Sequence, residues 1–111
     1  MAVMTLREFQ DVTRAVVERL PGELFTNLNG GITVQPRLCA DARNDRVTLG
    51  EYIEDPVMGR SIVLYYGSFR DLFRDDSLSV WSREIEETVL HELRHHVEAL
   101  AGLDDLSRED E

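Results

Sequence analysis

The chain has 111 residues, 42% of them hydrophobic and 31% charged, with a formal net charge of −10. That length supports one hydrophobic core but not two, so residues 1–111 are expected to form a single domain of ordinary soluble composition. The acidic balance opposes nucleic acid, whose phosphates need a basic face, and opposes anionic membrane surfaces for the same reason.

Cys39 is the only cysteine. An intrachain disulfide and a cysteine-built zinc site are therefore excluded, and a reducing compartment fits. The first eight residues meet charge too early for a signal peptide. No apolar stretch approaches the ~20 residues that span a bilayer. The expected location is cytoplasmic.

Thr5-Leu6-Arg7-Glu8 has the form of a capping box. Phe9, Val12, Val16 and Leu20 then recur at helical spacing until Pro21-Gly22, which predicts a helix over 5–20. Residues 23–28 add a turn or two before Asn29-Gly30-Gly31. Ile32-Thr33-Val34 is short and β-branched. A second alternating run covers 46–53, and Asp55-Pro56-Val57-Met58-Gly59 is turn chemistry. Ser61 to Tyr66 is a near-continuous apolar run, the pattern of a strand buried on both faces, with Gly67 at its end. Three strands are predicted, with a hairpin between the last two. The final helix starts between Ser77 and Ser82 and runs to about Ala101, with Gly102 at its C-terminal cap. The expected fold is α+β, with a small sheet supporting the last helix.

That helix carries His91-Glu92-Leu93-Arg94-His95-His96, all three histidines of the chain. The first five residues read H-E-x-x-H. Residues i and i+4 of a helix lie nearly above one another, so His91 and His95 offer two imidazoles to one metal ion. Ile85, Val89, Leu93, Val97 and Leu100 gather on another face, which should pack on the sheet. His96 falls among them and reads as a buried or boundary histidine. Two imidazoles and a carboxylate suit Zn²⁺ and leave a fourth position open. Glu92 is placed to take a proton from the attacking water and deliver it to the leaving amine. Glu98, one turn past His95, and Asp105, beyond Gly102, are the two candidates for the third ligand. Asp105 is favoured by the turn expected at Gly102.

Taken together these residues carry a resemblance. Asn29-Gly30-Gly31-Ile32, Gly50-Glu51-Tyr52, Asp55-Pro56, Gly59-Arg60 and the strand ending Tyr65-Tyr66-Gly67-Ser68-Phe69 join the doubled-histidine motif, Glu98, Leu100-Ala101-Gly102 and Asp105. The chain resembles the small bacterial zincin-like metallopeptidases, and the match covers most of its length. The resemblance implies a zincin-like fold, Zn²⁺ held by His91 and His95, and Glu92 as general base of a zinc-dependent peptidase acting on peptide or protein substrates. One departure stands out. Members with a third aspartate ligand read H-E-x-x-H-x-x-G-x-x-D, whereas Glu98 occupies the glycine position here and Gly102 comes four residues later. That shifts Asp105 by roughly 6 Å along a helix.

Further expectations concern the substrate. A sheet edge in such folds holds an extended peptide, and Arg60 to Tyr66 is the candidate segment. At most one of Tyr65 and Tyr66 reaches the oxyanion, because alternate strand residues point opposite ways. Core packing is the expected role of each, and a surface or ion-pairing role that of Arg94. The alternative function is a catalytically weak or inactive binding module stabilised by zinc.

Overall fold

The computed structural model describes residues 3–109, with side chains described as far as Gly102. Helix α1 (Leu6–Arg19) opens on the capping box: Glu8 N–H donates to Thr5 Oγ1 at 3.1 Å, and Thr5 N–H to Glu8 Oε1 at 2.8 Å. Its inward stripe is Phe9, Thr13 and Val16. A 3₁₀ turn (Gly22–Phe25) follows, and Asn27 takes a left-handed conformation with φ 64°. The chain then enters β1 (Gly31–Gln35).

Strands β2 (Gly50–Asp55) and β3 (Gly59–Tyr65) form the expected hairpin. Its turn is built by Asp55, whose Oδ1 accepts from Val57 N–H at 2.7 Å and Met58 N–H at 2.8 Å, and by Gly59 at φ +87°. Those two backbone donors hold the Asp55 carboxyl below its ordinary value. An aspartate with a depressed folded pKa contributes stability that is complete above its unfolded pKa and lost as pH falls through the folded one. Asp55→Asn is therefore expected to flatten the acid limb of stability below about pH 4, which denaturant titrations at stepped pH would detect. An unchanged acid limb would remove the turn from the account.

The sheet order is β1-β3-β2, with β3 parallel to β1 and antiparallel to β2. This corrects the substrate-edge expectation: Arg60 to Tyr65 lies in the central strand, with both of its edges paired, and Tyr66 begins the next helix. The open edge beside the motif helix belongs to β2. The second strand also starts later than its alternation suggests. Val47 makes only an isolated bridge with Ala40, and the strand extends to Asp55 instead.

No loop separates β3 from helix α2 (Tyr66–Phe73), an element not anticipated from the sequence. Gly67 is there for space rather than as a stop. A Cβ on it would stand 2.4 Å from the Leu38 nitrogen and 2.6 Å from the Arg37 carbonyl carbon, both backbone atoms. Tyr66 donates its hydroxyl to the Met4 carbonyl at 2.6 Å, and Phe69 stacks edge-on against Phe9.

Helix α3 (Leu78–Glu109) is capped by Ser77, whose Oγ accepts from Val80 N–H at 3.3 Å. It runs on through Gly102, so the stop expected at that glycine does not occur. Trp81, Ile85, Val89 and Leu93 are buried against Phe9 and Val16 of α1 and Ile62 and Leu64 of β3. Each such side chain contributes about 1.5–3 kcal/mol of burial. Val97 departs from the expected inward stripe and is exposed. No helix among the described residues is long and apolar enough to cross a membrane.

Candidate metal centre and its cleft

The inward stripe of α3 fixes where its other side chains point. With Ile85, Val89 and Leu93 buried, His91 and His95 are turned outward and are exposed, one turn apart. Their Nε2 atoms face each other at 3.2 Å, with the ring planes at 88°. Two nitrogens bound to one tetrahedral zinc at its usual bond length stand about 3.3–3.4 Å apart. The imidazole pair thus already has the separation that a shared zinc requires.

Glu92 is the buried member of the motif, 7% exposed. Burial pushes its carboxyl above the ordinary value, while the neighbouring His91 and His95 draw it back. Glu51 adds to the rise, and the Tyr52 N–H, donating to the carboxylate, opposes it. That donor follows from strand register. Tyr65 N–H bonds the Leu49 carbonyl at 2.9 Å, so Leu49, Glu51 and Ile53 aim their backbone groups at β3. Gly50, Tyr52 and Glu54 then aim theirs at the open edge, where Glu92 lies. Gly50 is required for this approach, because a Cβ there would meet Thr88 Cγ2 of α3 at 2.9 Å.

His96 faces the core as its helical position predicted, with no exposed surface. Its Nε2 stands 2.8 Å from the Thr26 carbonyl, which can only accept, so Nε2 carries the proton. Nδ1 then accepts from the Tyr52 hydroxyl at 2.7 Å. The chain Tyr52–His96–Thr26 ties β2 to α3 and to the segment after the 3₁₀ turn. It thereby fixes Tyr52 of β2 beside the motif helix. Tyr52→Phe would leave a buried imidazole nitrogen without a donor. A loss of about 1–3 kcal/mol is expected in urea unfolding, and no loss would show that water replaces the hydroxyl at no cost.

Glu98 lines the same cleft, but its Oε1 stands 4.0 Å from His95 Nδ1, the nitrogen on the far side of the ring from Nε2. Its Oε2 pairs with Arg94 Nε at 3.4 Å, which gives Arg94 the ion-pairing role expected of it. The side chain of Asp105 lies outside the described residues. Among the described residues no group of three or more histidine, cysteine, aspartate or glutamate side chains converges as a metal cage. Tyr65 donates its hydroxyl to Glu51 Oε1 at 2.5 Å, and burial together with that carboxylate pushes its pKa up. The Tyr66 hydroxyl is engaged by Met4. Neither tyrosine presents a free hydroxyl to the cleft.

The cleft measures about 660 Å³ and runs between α3 and the open edge of β2, lined by His91, Glu92, His95, Glu98, Glu51 and Tyr52 among others. Glu51 and Tyr52 had no site role in the sequence reading. The signal was present, in the Gly50-Glu51-Tyr52 segment, but only the strand order reveals that this segment borders the motif helix.

The family model of zincin-like metallopeptidases matches residues 30–110. Among solved structures, a conserved hypothetical protein from Thermus thermophilus is similar, at 33% identity and a TM-score of 0.77, over 88% of this chain and 98% of that one. No curated protein matches the chain. The match spans both the sheet and the motif helix, and the chain belongs to the zincin-like metallopeptidase family.

Proposed function

We propose that the protein is a zinc-dependent peptidase that hydrolyses amide bonds in an extended peptide laid along β2. The observation that carries this reading is the 3.2 Å separation of the His91 and His95 Nε2 atoms beside a buried carboxylate. The two imidazoles would hold the metal. Zinc bound there would polarise the substrate carbonyl and make water more acidic. Glu92 takes the proton of the attacking water and delivers it to the leaving amine. Its raised affinity for a proton suits the first half of that task, since a base with a higher pKa draws the proton more strongly. The outward carbonyls of Tyr52 and Glu54 supply main-chain acceptors for a substrate strand.

For the third ligand we propose Glu98. It already lines the cleft, whereas the continuous helix carries Asp105 ten residues past His95, about 15 Å along the axis. The experiment is metal analysis with peptide hydrolysis, run with zinc, after chelation and after re-addition. Activity should vanish on chelation and return with zinc. Glu98→Ala is expected to lose zinc and Asp105→Ala to keep it. The reverse result would restore Asp105 as the ligand.

A further inference from the structure

We infer that Glu51 selects substrates with a basic side chain, lysine or arginine, next to the scissile region. The inference rests on the peptidase reading of the cleft and names the substrate class of that same site.

Strand register sets what Glu51 faces. Glu51 directs its backbone groups at β3, so for an antiparallel strand added on the open edge it occupies a non-hydrogen-bonded position. Opposed side chains come closest at such positions, with Cα atoms about 4.5 Å apart. Whatever residue the substrate places there lies against the Glu51 carboxylate. The carboxylate is held in place by the hydroxyl of Tyr65, a side chain only 3% exposed, at 2.5 Å. Its other partner is the Cys39 thiol at 3.9 Å. Neither partner is a cation.

Apart from Glu92, the other carboxylates and the arginine of the cleft are engaged. Glu54 pairs with Arg60 at 3.3 Å and Glu98 with Arg94 at 3.4 Å. Arg43, which also lines the cleft, pairs with Asp41 at 3.4 Å. Arg37 stacks over the Tyr65 ring, 4.8 Å from its centroid. Glu51 is therefore a fixed, exposed carboxylate with no ion-pair partner among the described residues, at the position where a docked strand brings its side chain nearest. An opposite charge across strands stabilises the pair and a like charge destabilises it. The chain's net charge of −10 favours the same class of substrate at longer range.

The test uses fluorescent peptides that differ at one position (lysine, alanine or glutamate) and zinc-loaded E92Q protein, which binds without turnover. Scanning that position along the peptide finds the register. The lysine peptide is expected to bind about three- to fivefold more tightly than alanine, and glutamate more weakly. The preference should shrink in 0.5 M salt, disappear in E51Q/E92Q and invert in E51K/E92Q. Equal binding of all three peptides, binding of none, or a preference that survives E51Q would overturn the inference. Wild-type cleavage of a peptide pool is measured alongside. Cleavage without charge preference sinks this inference and leaves the peptidase reading, whereas charge-selective binding without cleavage does the reverse.

Discussion

His91→Ala is expected to purify without zinc, while the wild type holds close to one equivalent. Removal of one of two imidazoles set 3.2 Å apart takes away half of the donor pair on which the site is built. Outer-sphere partners of metal ligands alone are worth about 10–100-fold in affinity, so loss of a direct ligand should weaken binding by more than ~100-fold. The fold should not suffer. His91 is exposed, and surface substitutions of this kind stay within about 0.5 kcal/mol. Elemental analysis beside a denaturant titration separates the two effects. If wild-type protein neither contains nor takes up zinc, the metal reading fails together with the chemistry built on it.

Glu92→Gln is expected to keep its zinc and lose hydrolysis by about 10²–10⁴-fold, the range for removal of a general base. Its stability gives an independent readout. Burial raises the Glu92 carboxyl pKa, so the folded protein binds that proton more strongly than the unfolded chain. Ionised Glu92 therefore costs stability as pH rises from the unfolded value toward the folded one. The neutral isostere carries no such cost, and zinc-free Glu92→Gln should be at least as stable as zinc-free wild type at neutral pH. A variant that stays fully active would remove Glu92 from the mechanism. A wild type that binds zinc tightly and cleaves nothing would favour the zinc-stabilised binding module instead.

How much of this was readable in the residues depends on range. The capping box at Thr5, the motif helix, the inward turn of His96 and the hairpin at Asp55-Pro56 rest on contacts a few residues apart, and the sequence carries each one. Glycine was the weak point. Gly67 and Gly102 both read as stops, yet Gly67 lies inside α2, where the backbone of Arg37 and Leu38 passes, and α3 continues through Gly102. A missing Cβ looks the same in a sequence whether it relieves a turn or a close approach. Strand order was the other gap. The apolar run from Ser61 to Tyr66 implies a strand buried on both faces, a pattern that suits an inner strand better than a substrate edge. Pairing partners are set by tertiary packing, so only the sheet itself assigns β2 to the edge and brings Glu51 and Tyr52 to the cleft.

Trp81 lends these experiments an optical probe. It is the only tryptophan of the chain and has no exposed surface, enclosed between Phe9 and Tyr66. It also sits ten residues before His91, about 15 Å along α3 from the metal pair. Its emission should be blue-shifted in the native state, move to the red only when α1 and α3 separate, and ignore zinc occupancy. Fluorescence then reads the integrity of the core and elemental analysis reads the histidines, so a variant that has merely unfolded cannot pass for one that has lost its metal.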